Sequence, residues 1–187
     1  MTVRITKPEF NLREKLTELD YGRVPYEKMP AGNVIQVVFD STTTEASRAH
    51  SNNGGTESHI FDTNLSATIS PKFASSKILV HVSQQFMFRN SVGTFTQMQA
   101  NIFICDGDNN ILDGRSVDYD MIRVKNQEAF AAVHSAQLLH SPNTTNAFTY
   151  KTRGNFFQSA AGAGILSFQY NNKANTVSTI SLMEIAQ

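Results

Sequence analysis

The chain has 187 residues, 16 basic and 16 acidic side chains, a formal net charge of zero, one cysteine and no tryptophan. That length supports one good core, or one core with a small appendage. Charge balance argues against an electrostatic nucleic-acid binder, which needs a basic face, and the single Cys105 excludes an internal disulfide framework or a cysteine-ligated zinc. Arg4, Lys7 and Glu9 interrupt any early apolar run, and no apolar stretch approaches the roughly 20 residues that span a bilayer. The expectation is a soluble chain made in a cytoplasm, with no membrane insertion.

Residues 1–30 are set apart, holding eleven of those charged residues. Asn11 can cap a helix with Glu14 three positions on. Leu12, Leu16 and Leu19 share one face of it, and Gly22 and Pro25 stop it. About ten residues is too short to be stable alone in water, so this helix must dock on its own domain, on sister copies or on another protein.

From Asn33 onward the chain reads as strands. Val34–Phe39 is an apolar run of strand length, followed by a polar loop over 40–58, the kind of long connection that is functional or mobile. Leu65–Ser70 is a short strand ended by Pro71. Lys77–Phe88 is the clearest pattern: Ile78, Val80, Val82, Phe86 and Phe88 fall on one face and Leu79, His81, Ser83, Gln85 and Met87 on the other. A strand around Ala100–Ile104 leads to turn chemistry at Asp106–Asn110 and a loop over Gly114–Lys125.

Glu128–Leu139 is Ala-rich and helical by propensity. It alternates as a strand and precedes a Ser141–Pro142–Asn143 turn, so a strand is expected. Ala147–Arg153, Ile165–Tyr170 and Val177–Ile185 complete the set. Many strands with regular turn signals point to a sandwich or barrel, with a jelly roll as the expected form. The fold expected is all-β: an antiparallel jelly-roll β-sandwich over 31–187 with a short N-terminal helical arm over 1–30.

Catalytic signals are weak. Asp106, Asp108 and Asn110 match the first ligand positions of a calcium loop, but Ile111 replaces the required glycine and Val117 the bidentate glutamate. A plain turn is expected there, with Asp113, Asp118 and Asp120 as the residues that would complete a different cage. The five histidines show no zinc-binding helical spacing. Gly162-Ala163-Gly164 reads as a flexible turn, and Cys105 as a buried, inert thiol. No enzyme activity, cofactor or metal is expected.

Three segments, SATISPKFASSKILVHVSQQF (66–86), HSPNTTNAFTYKTRGNF (140–156) and STISLMEIAQ (178–187), together resemble a recurrent domain of tailed-bacteriophage virion proteins of the tail-fibre or appendage type. The leader RITKPEFNLREKLTELD (4–20) resembles the N-terminal segment of structural proteins from marine and freshwater phages, including those infecting cyanobacteria. The resemblance implies a jelly roll of the tumour-necrosis-factor or complement type, assembled as a homotrimer on a virion. Phe10, Leu12, Leu16 and Leu19 would then anchor the arm to a capsid or tail protein. Leu79, His81 and Met87, on the second face of the Lys77–Phe88 strand, would meet sister subunits, unless a further layer of the same chain covers them. An alternative role, an adhesin head binding a host surface glycan or protein, would use Tyr119, Phe156 and Phe157.

Overall fold

The structure is a computed structural model that describes residues 29–52, 58–90, 96–113, 120–124, 129–158, 162–170 and 176–187. The leader helix and Phe10, Leu12, Leu16 and Leu19 lie outside the described residues, as does Tyr119. What is described is all-β.

With strands numbered along the chain, one sheet sets β1 (Val34–Thr42), β10 (Ser178–Ile185), β4 (Lys77–Asn90) and β7 (Ala129–His140) side by side. The facing sheet sets β3 (Ser58–Ile69), β8 (Phe148–Gln158), β5 (Thr96–Asp106) and β6 (Asp120–Val124) in that order. Strands β2 (Ala46–Asn52) and β9 (Gly162–Phe168) also belong to the larger sheet. The chain therefore crosses between the sheets at β2–β3, β3–β4, β4–β5, β6–β7, β7–β8 and β8–β9, and all pairings are antiparallel. The orders 1-10-4-7 and 3-8-5-6 are those of two Greek keys wrapped into a jelly roll, in agreement with the fold expected from the sequence.

β4 organises the larger sheet. β7 runs along one side of it from Ile78 to Arg89. On the other side β10 pairs with Lys77–Ser83, and β9 takes over at Phe86–Asn90, carrying β2 beyond it.

Three expectations need correction. The 40–58 segment is not one loop: it contains β2. The sequence of β2 shows no apolar alternation, because its strand geometry comes from pairing with β9. The Gly114–Lys125 segment likewise contains β6, paired to β5. Gly162-Ala163-Gly164 opens β9 instead of forming a turn, with Gly164 opposite Asn90 on one side and His50 on the other. The Ala-rich 129–140 segment is a strand as expected. Twelve register pairs with β4 outweigh a helix propensity worth a few tenths of a kcal/mol per residue.

The inner faces bury two apolar clusters. One gathers Leu65, Ile69, Ile78, Val80, Val82, Ile104, Tyr150, Ile180 and Leu182. The other gathers Phe86, Phe88, Ala100, Ile102, Phe156, Leu166 and Phe168. Between them, at the point where β4 exchanges β10 for β9, lies a fully buried polar belt: Thr63, Gln84, Thr152, Gln169 and Ser178. Gln84 occupies the core face of β4 by the same alternation that buries Val82 and Phe86. The Thr152 hydroxyl donates to Gln84 Oε1 at 2.9 Å, and the hydroxyls of Thr63 and Thr152 touch. Gln84 Nε2 donates to Ser178 Oγ at 3.0 Å, which also accepts from the Gln85 amide at 2.9 Å. The Gln169 amide is oriented by these neighbours. Its oxygen accepts from Gln84 Nε2 and from the Ser178 hydroxyl, and its nitrogen donates to the carbonyls of Thr63 at 3.0 Å and Thr44 at 3.2 Å. A buried polar group without a partner costs about 1–3 kcal/mol, so a closed belt of this kind holds one register.

Candidate assembly surface

The outer face of the larger sheet is the surface that the core does not explain. Register places Val37 opposite Met183, Met183 opposite Leu79, and Leu79 opposite Leu139. These four apolar side chains form one continuous row across β1, β10, β4 and β7. Val37 is 58% and Leu139 53% exposed; Phe39 (64%) lies two positions from Val37 on β1, and Val133 (62%), opposite Gln85, is exposed farther along β7 on the same face. Between Lys77 and Arg89, at the ends of β4, this face carries no charged residue on β1, β10, β4 or β7. Solvated sheet faces normally alternate apolar-in with polar-out. A contiguous apolar patch on the water side marks an interaction surface.

Of the residues expected at a subunit interface, Leu79 and His81 are half-buried on this face. Met87 is only 6% exposed. Tyr170 is tied to the residues either side of it: its amide donates to Gln85 Oε1 at 3.2 Å, and its ring lies 4.7 Å from the Arg89 guanidinium. That end of the face is closed by the chain itself, and the open part is the Val37–Leu139 row. The sequence flagged Leu79 but not Val37, Met183 or Leu139. Their coincidence depends on three strand registers that no local pattern encodes.

Phe156, expected to face a receptor, is a core residue. It is fully buried with its ring centroid 6.0 Å from that of Phe88. Its position follows from alternation along β8, where Tyr150, Thr152 and Gly154 also point inward. The side chain of Phe157 lies outside the described residues.

The Asp106 turn is self-contained. Asp106 Oδ1 accepts from the amides of Asp108 at 2.9 Å and Asn110 at 2.8 Å, and Oδ2 accepts from Asn110 Nδ2 at 2.8 Å. Burial pushes its carboxyl up, but these hydrogen bonds outweigh it and hold the pKa below the ordinary value. The oxygens that a calcium ion would need already serve the turn. No group of three or more metal-ligating side chains occurs among the described residues. Cys105 is fully buried, and burial pushes its thiol up to about 11, which keeps it protonated and unreactive. Glu184 is a fully buried carboxylate, but Lys72 N at 2.7 Å, Phe73 N at 3.3 Å and Gln36 Nε2 at 2.6 Å occupy it. It fastens the β3–β4 connection to β10.

A shallow polar groove of about 370 Å³ lies where the β1–β2 connection meets β3 and β8. Asp62 on its wall accepts from Arg153 Nε at 2.9 Å and lies 3.9 Å from Lys151 Nζ. Its charged groups are thus engaged with one another.

No protein-family model and no curated protein sequence matches the chain. Among solved structures it is similar to the VP2 subviral particle of infectious bursal disease virus, at 13% identity and a TM-score of 0.36, over 88% of this chain and 42% of that one. The Gx strain of the same virus is similar at 13% identity and a TM-score of 0.35, over 81% and 37%. Tailspike protein 4 of bacteriophage CBA120 is similar at 11% identity and a TM-score of 0.21, over 83% and 20%. The chain spans less than half the length of each, and overlap this low assigns it no function.

Proposed function

We propose that this chain is a non-enzymatic structural protein of a bacteriophage virion. In this reading it is a homotrimeric surface component of the head-decoration or short-fibre type, made in the host cytoplasm and held on the particle by the arm over 1–30. The observation that carries the reading is the uncharged outer face of the larger sheet with its Val37–Met183–Leu79–Leu139 row. A chain whose largest unexplained feature is an uncharged sheet face with an exposed apolar row across it is built to be covered. The sequence resemblance at 4–20, 66–86, 140–156 and 178–187 supplies the virion as the setting. The expected partners are sister copies and a capsid or tail protein.

The test is mass by light scattering at micromolar concentration, with Val37→Glu as the probe. Wild type is expected at three copies. Val37 is exposed and outside the core, so the variant should keep its far-ultraviolet circular dichroism. Withdrawing one apolar side chain from an interface costs about 1.5–3 kcal/mol per copy, or roughly ten- to a hundredfold in association. A single-copy mass for wild type would overturn the reading. Removal of residues 1–30 should abolish binding to the particle while leaving the trimer, and retained binding would show that the arm is not the anchor.

A further inference from the structure

β7 is an unguarded sheet edge. Among the described residues the two sheets end in five edges: β1, β2, β7, β3 and β6. A free edge presents unpaired N–H and C=O groups to any other strand. Natural proteins blunt such edges with charge, proline, bulges or shortness. Four of the five are blunted. β1 carries Asp40 and a register shift between Val34 and Gln36. β2 carries Arg48. β3 carries Asp62 and a register shift between Asp62 and Ser66, with Asn64 at φ 63 inside it. β6 has five residues and includes Arg123.

β7 has none of these. Its twelve residues, AFAAVHSAQLLH, contain no charge, proline or glycine, and they pair with β4 in unbroken register from Ala129 to His140. Among the described residues no strand pairs with its outer edge, and Ala129, Phe130, Ala131, Val133, Ser135, Gln137 and Leu139 are all exposed.

We infer that β7 pairs antiparallel with β7 of a second copy across a twofold axis, joining two larger sheets into one. Identical strands suit each other across a twofold only if no like charges meet, and β7 has none to meet. Its alanines and serine leave room for a second strand and its sheet to approach. In a full-length antiparallel pairing Leu139 of one copy lies near the Ala129–Ala131 end of the other, so the two apolar rows reach the junction at its opposite ends on the same face. At about 3.4 Å per residue the edge is about 40 Å long but only one sheet thick, about 10 Å. That is roughly 400 Å² per copy, half of a standard interface. The pairing is therefore concentration-dependent on its own. It goes beyond the trimer proposed above, since a twofold contact would link one trimer to the next.

The test is hydrogen–deuterium exchange of the 129–140 amides in the full-length chain, from low to high micromolar, on wild type and Val133→Lys. Val133 is exposed, and a lysine there restores the charge that the other edges carry. In wild type the amides facing away from β4 should slow at least tenfold as concentration rises. In the variant they should stay fast at every concentration, with an unchanged melting temperature. Exchange that ignores concentration in wild type overturns the pairing, as does equal protection in the variant. Three copies by mass with a fast-exchanging β7 would keep the trimer and remove this contact. Two copies with a protected β7 would do the reverse.

Discussion

At the scale of single residues, the tightest constraint is Gly154. A Cβ built there would run into the ring of Phe168, which is fully buried and held 5.4 Å from the Phe61 ring. No flexible tip is available to give way. Gly154→Ala is expected to cost about 1–3 kcal/mol by overpacking, lowering the melting temperature by roughly 2–4 °C per kcal/mol in a chain of this size. A melting temperature unchanged within a degree would mean that the ring has room to move. The sequence shows Gly154 only as a glycine inside a strand pattern. The aromatic that requires it comes from the other sheet.

At the scale of elements, the buried belt decides how β4 is shared. Val82 and Phe86 would pack equally well against several registers of β10 and β9. Gln84 would not, because its amide must meet Thr152 on one side and Ser178 with Gln169 on the other. Gln84→Leu is expected to cost about 1–3 kcal/mol in thermal or urea unfolding, since it strands hydroxyls and an amide out of reach of water. Adding Thr152→Val should recover part of that loss, because removing both partners of a hydrogen bond costs less than removing one. Losses that simply add would show that the two side chains are not coupled. Alternation along Lys77–Phe88 was legible in the sequence and puts Gln84 inside. Its partners, on two other strands and a connection, were not.

β2 and β6 make the same point at the level of whole strands. Neither shows a periodic pattern, since each is a strand by virtue of the neighbour it pairs with. β7 is the converse. Its composition favours a helix, its alternation favours a strand, and the pairing with β4 resolves the conflict because tertiary contacts outweigh propensity.

At the scale of the whole molecule, two groups among the described residues cost stability on acidification, with the same sign. His140 ends β7 beside Tyr150, with Nδ1 2.9 Å from the phenol oxygen. Burial holds its pKa below the ordinary 6.5, while Tyr150, fully buried, is pushed well above its own. The unfolded chain therefore binds a proton near pH 6.5 that the folded chain refuses. The stabilisation is complete above that pH and is lost as pH falls toward the lowered folded value. Asp106, held below its ordinary 3.8, adds a second loss as pH falls further through its own lowered value. Melting temperature should decline on acidification from pH 7.5 to 5. His140→Gln should flatten that upper step and leave the step below pH 4. An unchanged upper step in the variant would assign it to another group.

By itself the sequence determined the class of fold, the strands with clean alternation, the inward side of each and the inertness of Cys105. All of these are set by neighbours one or two positions away along the chain. Only the tertiary structure decided which strands lie side by side, that a polar belt divides the core, that Phe156 belongs inside it, and that Val37, Met183, Leu79 and Leu139 line up. Register between strands far apart in sequence is set by packing and hydrogen-bond closure across the sheets, and those forces leave no periodic trace in any one segment.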